Sequence, residues 1–582
     1  MAERGGRRAE RRSWLVDFAL CALLSALVFL LYRKVVRLWW TYDDAYLVHL
    51  AIDHTVVDEF FNASVWPQKL FTPLVMAVYE SDMAVFGLEP ARWFVVHLVG
   101  FALSALAFFA ALRMWLSPMR AGVGALLYAA SVPVVSLITE ISGIHYFLGI
   151  LFGSLATVAY VAALRRPRRP PLHWLSAALY FIAILAKETV IPLPFLFLAF
   201  PERDLRTRAR YASPHVVSLV LYFVWRRAVI GTFLGGYGWA VDRGEWLPLI
   251  ASLPKKIVLA CAGANVAIGV TLIVVMLVGI CFIGKRGALL FIVALALAVG
   301  PIVPVSKEMQ RRYALMPWLC WSVAFVAGVG RASGSDPRPS PSPLPSPGWA
   351  SEATTTFPPP RARKRARARA REMGLRVLLI AVPLLMLVAN RQEWGYEFGR
   401  TQRMSDEARF FFDMPPDTFL RLPIVPPAAM GELNWLKTMH YRKPYGAMWF
   451  YDDYFLCSGA LPKRAWEFDP SQRAVVEITR ALPSIAKRHC GAIRQNAPLS
   501  ASFDYRDAAL FWKFGPYADG KYRVLIANGL QAFDVPRIDG FRMPDLTGIT
   551  LRIRYDSPQG WTTYSPELVL DFKRQPRMDW RR

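Results

Sequence analysis

The chain has 582 residues, 54% of them hydrophobic and 13% aromatic, and a formal net charge of +26. So apolar a composition excludes an ordinary soluble protein, because uncharged runs of about 20 residues, the length that crosses a bilayer core, recur through the first 390 positions. The positive charge does not call for nucleic acid, and no nucleic-acid partner is expected: the arginines cluster in short loops between apolar runs, as the positive-inside bias predicts.

MAERGGRRAERRSW leads into a first apolar run over 14–32. The run ends in Tyr32-Arg33-Lys34 with no small-residue cleavage site, so it is expected to stay as an anchor rather than leave as a signal peptide. Further candidate spans lie near 93–112, 121–138, 144–164, 172–200, 214–230, 257–283, 287–305, 313–330 and 375–390. The stretch 172–200 is interrupted by Lys187-Glu188 and followed by prolines that disturb a helix. Read as two short spans joined by a tight turn it gives eleven crossings; read as one it gives ten.

Loop charge favours eleven. With the N-terminus in the cytoplasm, the basic loops at 113–120, 165–170, 202–210 and 285–286 all fall inside, and Arg33-Lys34-Arg37 and Arg226-Arg227 are the exceptions. Asp43, Asp44, Glu140 and Glu188 then share the opposite face. The expected fold is a polytopic α-helical membrane protein of about 11 transmembrane helices with a C-terminal extracytoplasmic α/β or mainly β domain.

The expected domains are a multi-span membrane domain over 1–330 whose first outer loop is 33–92, a linker over 331–374, a last transmembrane helix over 375–390 and an extracytoplasmic domain over 391–582. The linker is rich in proline and serine and ends in RARKRARARAR, so it is expected to be disordered. The basic run fits either attraction to anionic lipid headgroups on the cytoplasmic face or a stop-transfer charge block. In the tail, ASFDYRDAALFWKF, KYRVLIANG, ITLRIRYDS and PELVLDFK alternate with period two, which predicts β-strands. Cys457 and Cys490 are the two cysteines of this polar region, and a pair outside the cytoplasm would form a disulfide.

The chemistry concentrates in the first outer loop, where TYDDAYLVHLAIDHTVV opens with two carboxylates and continues with apolar residues at helical spacing, the pattern of an amphipathic helix on a membrane surface. Adjacent carboxylates repel each other, so one should titrate high, which suits a base; glycosyl transfer needs a carboxylate to deprotonate the incoming hydroxyl. The plainer alternative is that Asp43-Asp44 caps the following helix.

One anchor, a long outer loop opening with an acidic pair, many further spans and a soluble tail together resemble the C-type glycosyltransferase superfamily, particularly its dolichyl-phosphate-mannose protein mannosyltransferase-like members. The resemblance covers roughly 14–330 and the tail carries no matching motif. It implies a site on the outer face, a polyprenyl-phosphate-linked sugar donor, and catalysis by the acid just after the first span, here Asp43 with Asp44 as partner. AKETVIPLP at 186–194 is similar to a Lys-Glu step before a proline-containing span in these enzymes, which makes Lys187 a candidate for the donor phosphate and Glu188 a supporting residue; the alternative is a mutual ion pair. PVSKEMQRRYALMPW at 304–318 resembles the family's Arg-Tyr element, so Arg311 or Arg312 would grip phosphate with Tyr313 beside it, although a snorkelling arginine would look the same. Glu140 and His145, in the short outer loop ITEISGIHYF, are candidates for supporting the site.

Cofactor expectations are none certain, with a divalent metal possible at paired acids such as Asp43-Asp44. The expected function is transfer of a sugar from a polyprenyl-phosphate donor to a protein, lipid or polysaccharide acceptor, in contact with membrane lipids. A transporter or flippase of lipid-linked precursors, or a noncatalytic scaffold, are the alternatives. The Arg, Ala and Pro richness suggests a GC-rich bacterium and hence its inner membrane, with a cytoplasmic N-terminus and a periplasmic tail.

Overall fold

The computed structural model describes residues 2–41, 43–62, 71–166, 171–233, 246–303, 309–332, 361–413, 419–421, 448–450, 452–457, 461–469, 474–506, 509–526, 531–542 and 548–582. They form two compact units, Met1–Gln402 and Arg403–Arg582.

The first unit is helical. α1 (Ala2–Tyr32) contains the first apolar run; α2 (Asp43–Asp53), α3 (Val56–Phe61) and α4 (Pro73–Phe86) make up the described part of the long loop after it; α5 (Pro90–Arg113), α6 (Pro118–Ala129), α7 (Val132–Ile138) and α8 (Ile144–Arg165) follow. Proline at the first turn starts α4, α5, α6 and α7, where its missing N–H costs nothing. Then come α9 (Pro171–Ala186), α10 (Leu193–Phe197), α11 (Leu205–Ile230), α12 (Trp246–Ala262), α13 (Val266–Ile280), α14 (Gly284–Val299), α15 (Leu315–Ala332) and α16 (Arg361–Asp413).

Five of these segments are long and apolar enough to cross a membrane among the described residues, or seven if each of two bent pairs, α6 with α7 and α12 with α13, counts as one span. Three expected spans are shorter apolar helices by this measure: 171–186, 188–197 and 287–303. The break in the interrupted stretch falls at Lys187, as read, and the Tyr180 hydroxyl donates to the Ile191 carbonyl across it at 2.9 Å. Small residues let α8 and α9 approach closely: the Ser176 hydroxyl bonds the Ala156 carbonyl at 2.7 Å.

Three local features differ from the sequence-based expectation. α2 is not a free amphipathic helix on a lipid surface, because Val48, Leu50 and Ala51 are buried against the protein. Helix α16 begins at Arg361 inside the basic run, because alternating Arg and Ala are both strong helix formers and the apolar turns that follow extend the same helix. It also continues past 390 to Asp413, so the second unit starts at Arg403. The rest of the linker, 333–360, lies outside the described residues.

The second unit carries the expected strands. β1 (Phe419–Arg421) pairs in parallel with β2 (Met448–Phe450) and β3 (Ala465–Asp469), and β3 pairs antiparallel with β4 (Ala474–Glu477). Helix α17 (Leu482–Gly491) buries Leu482 and Ala486 in a small core with Leu456 and Ala465. A two-sheet sandwich follows, built from β5 (Ser500–Arg506), β6 (Ala509–Gly515), β7 (Lys521–Ile526), β8 (Gln531–Val535), β9 (Ile538–Arg542), β10 (Gly548–Asp556), β11 (Thr562–Tyr564), β12 (Leu568–Asp571) and β13 (Arg577–Arg581). One sheet runs β11-β10-β7-β8 with β12 on β10; the other runs β13-β5-β6-β9. The period-two pattern holds because alternate residues such as Ala501, Phe503, Leu551 and Ile553 fill the core between the sheets. Cys457 and Cys490 are disulfide-bonded, with Cα atoms 5.7 Å apart.

Candidate functional site

The acidic pair occupies the first turn of α2, where a helix dipole favours carboxylates, yet the two residues diverge. Asp44 is fully buried, and its carboxylate accepts the backbone N–H groups of Ile141 at 3.0 Å and Ser142 at 2.7 Å, in the 3-10 turn between α7 and α8. Its bonds go to a turn ninety-seven residues away, so it is a cross-link rather than a cap. Burial, with Glu140 nearby, pushes the Asp44 carboxyl up to about 8, against the pull of the two amide bonds. Asp43 stays open, its side chain 64% exposed and 3.7 Å from the Arg312 guanidinium.

Arg312 is the centre of the site. It donates to Glu140 at 2.9 Å and lies over the Tyr313 ring at 5.9 Å. Glu140 also accepts from the Ser142 hydroxyl at 3.4 Å, so Asp44, Ser142, Glu140, Arg312 and Asp43 form one connected set. Burial drives the Glu140 carboxyl up while Arg312 pulls it back. Lys187 is buried at the break after α9, with its ammonium 4.7 Å from the centroid of the Tyr146 ring and within electrostatic reach of Asp43 and Arg312. His145 is half-buried, its ring 4.7 Å from that of Tyr146.

Two expected site residues are engaged elsewhere. Arg311 pairs with Glu393 and, at 2.8 Å, with Glu397, both on α16. Glu188 pairs with Arg226 of α11, which also donates to the Tyr222 hydroxyl at 2.9 Å. The mutual Lys187-Glu188 pair is therefore not what the structure contains, and Arg226, an exception to the loop-charge pattern, is a buried partner for an acid. Glu393, Glu397, Arg226 and Tyr146 were not legible as site neighbours. The signal available was that Glu393 and Glu397 are acids one turn apart at the end of an apolar helix, where an unpaired carboxylate is costly.

In the segment before α2, Trp40 is fully buried against Trp39 and Trp93 and serves packing. Tyr42 lies outside the described residues. Among the described residues no three of His, Cys, Asp and Glu gather as they would to hold a metal ion.

Beside Lys187 lies a cavity of about 480 Å³ with an almost wholly apolar lining that includes Gly149, Gly153, Val190, Leu193, Leu290 and Met316. Gly149 borders Lys187: a Cβ there would sit 3.2 Å from the Lys187 Cβ. Met316 follows Arg312 by four positions. An apolar chamber bordered by a buried lysine has the chemistry of a lipid tail with an anionic head.

The fold and site thus describe an integral membrane protein with a charged pocket beside an apolar chamber. No family model and no curated protein matches the chain. Among solved structures it is similar to ArnT from Cupriavidus metallidurans bound to undecaprenyl phosphate, at 14% identity over 74% of this chain and 85% of that one, with a TM-score of 0.37. It is also similar to the oligosaccharyltransferase of Archaeoglobus fulgidus tethered with an acceptor peptide, at 11% identity over 90% and 76% of the two chains, with a TM-score of 0.43. Both are C-type glycosyltransferases, the superfamily that the acidic pair and its setting resemble.

Proposed function

We propose that the chain is a membrane glycosyltransferase that moves a sugar from a polyprenyl-phosphate donor to an acceptor on the outer face of the membrane. The observation that carries this reading is the open carboxylate of Asp43, 3.7 Å from Arg312, with Lys187 within electrostatic reach of both and beside Gly149 of the apolar chamber.

In this reading the donor's isoprenoid occupies the chamber and its phosphate meets Arg312 and Lys187. The Asp43 carboxylate takes the proton from the acceptor hydroxyl as the acceptor oxygen bonds the sugar's anomeric carbon. The bond from that carbon to the phosphate oxygen breaks, its electron pair leaves with the lipid phosphate, and the two cations stabilise the charge that builds there. Attack opposite the leaving group inverts the anomeric centre. Asp44 holds the Ile141–Gly143 turn that carries Glu140 beside Arg312, Arg311 is withdrawn, and no step needs a metal ion. The outer-face site and about eleven crossings with a cytoplasmic N-terminus belong to the same proposal, supported by the distribution of loop charge.

The test is glycan and intact-mass analysis of envelope material from cells carrying the Asp43→Asn variant, with the variant's folding and lipid-phosphate binding measured in parallel. Loss of the transferred sugar with binding retained supports the proposal. Unchanged glycan with a folded, membrane-inserted variant removes it and leaves transport or a scaffold role.

A further inference from the structure

We infer that Glu393 and Glu397 are positioning residues: by holding Arg311 away from the pocket they decide which of two consecutive arginines faces Asp43. The inference deepens the proposed reading of the site and rests on it.

Arg311 and Arg312 are adjacent in one 3-10 turn, Arg311–Ala314, and serve different acids. Arg312 reaches Glu140 and Asp43. Arg311 is held by Glu393 and Glu397, and its guanidinium lies over the Tyr396 ring at 5.4 Å. The side chain of Glu393 is fully buried and that of Glu397 nearly so, at 12%.

Glu393 is bound from a second side. It accepts the backbone N–H of Ala264 at 2.6 Å in the break between α12 and α13, a pair bent by 109°. Gly263 in that break has φ +75°, and a Cβ on it would lie 2.8 Å from the Glu393 carboxylate, so only glycine suits both the backbone and the close approach. The same stretch of α16 is tied to the anchor: Asn390 donates to the Tyr32 hydroxyl at 2.7 Å, and Trp394 packs on the Tyr32 ring at 5.3 Å. Asn390, Glu393 and Glu397 recur at helical spacing, so one stripe of α16 grips both the end of α1, which leads to Asp43, and the turn that carries Arg312.

Glu397 acts electrostatically on Glu140, so the two acid clusters are close enough to compete for arginine. Without the carboxylates on α16, Arg311 is released to turn toward Glu140 and Asp43, the acids that hold its neighbour Arg312. The pocket gains a positive charge; a lipid phosphate then binds more tightly but less productively, so KM for the donor and kcat fall together.

The test reads charge at the pocket and does not depend on transfer. In full-length protein lacking the free cysteines Cys21, Cys261, Cys281 and Cys320, an Asp43→Cys substitution is modified with an anionic and a cationic methanethiosulfonate, and the ratio of the two rates is taken. Adding Glu393→Gln with Glu397→Gln should raise the anionic-to-cationic ratio by about threefold or more, the effect of one unit charge several ångströms away in a hydrated site. Adding Arg311→Gln as well should cancel the rise. A ratio that is unchanged or falls in folded protein, or a rise that survives Arg311→Gln, overturns the inference. If the double variant does not fold, Glu397→Gln alone, at the more exposed acid, is read by the same ratio and the same criteria. Wild-type protein without transferase activity would sink the enzymatic reading, whereas the rate ratio would still decide whether Glu393 and Glu397 hold Arg311 away from Asp43.

Discussion

Asp44 and Ser142 are joined by a 2.7 Å bond from the Ser142 backbone N–H to the Asp44 carboxylate, and with the parallel bond from Ile141 it fastens the start of α2 to the turn that carries Glu140. Replacing the carboxylate by a methyl strands two buried N–H groups. Asp44→Ala is therefore expected to lose about 2–5 kcal/mol of stability, with Ile141 and Ser142 amides exchanging hydrogen far faster than those of α8. Thermal unfolding in detergent and hydrogen exchange check this; unchanged exchange at Ile141 and Ser142 would show that the bonds do not hold the turn.

The raised Asp44 carboxyl gives a pH dependence with a definite sign. The folded value of about 8 lies above the ordinary 3.8, so the folded protein binds more protons between them. The stability from this group is complete below about 4 and is lost as pH rises to about 8. Glu59, raised to about 8, and Asp82, raised to about 7, both by burial first, act in the same direction. The Asp44 share of stability should decline from pH 5 to 8, so Asp44→Asn should remove that part of the measured slope. A slope identical to wild type would contradict the assignment.

Asp43 and Arg312 are expected to fail differently. Asp43→Asn keeps the fold and the phosphate contacts and should lower kcat about 100-fold or more, the usual loss when a general base is removed. Arg312→Lys keeps the charge but not the planar fork that meets Glu140 and a phosphate together, so it should raise KM and lower kcat. Steady-state kinetics with the lipid donor separates the two; equal effects on KM from both substitutions would argue against a base and a phosphate contact.

If the apolar chamber holds the isoprenoid, narrowing it should discriminate by chain length. Gly153 lines the chamber, and a Cβ there would already meet Val190 at 3.6 Å and Leu193 at 3.7 Å. Gly153→Leu should weaken binding of a long polyprenyl phosphate about tenfold or more, the effect of a few lost apolar contacts, and spare a short-chain analogue. Equal loss for both lengths would place the tail elsewhere.

In the second unit the Cys457–Cys490 bond closes a 33-residue separation and ties α17 to the turn at Asp453–Cys457. Replacing both with serine should cost about 4 kcal/mol by the loop-closure argument. Reduction with dithiothreitol should lower the melting temperature of wild type and leave the serine variant unmoved; a wild type indifferent to reductant would show that the bond is not formed.

Local pattern was enough for the apolar helices, the break at Lys187-Glu188 and the period-two strands, because burial in a bilayer or between two sheets imposes a periodicity that any single segment displays. Asp43 and Arg312 were likewise visible as charged residues at the ends of apolar runs. Their division of labour with their neighbours was not. Asp43 and Asp44 are chemically identical and adjacent, as are Arg311 and Arg312, and a helical turn sends consecutive side chains about 100° apart. Which aspartate is spent on the Ile141 and Ser142 amides and which stays open depends on a turn ninety-seven residues away. Which arginine is taken by α16 depends on Glu393 and Glu397, more than eighty residues on. Charges need partners in space, and spatial partners are set by helix packing, which a linear pattern of residues does not encode.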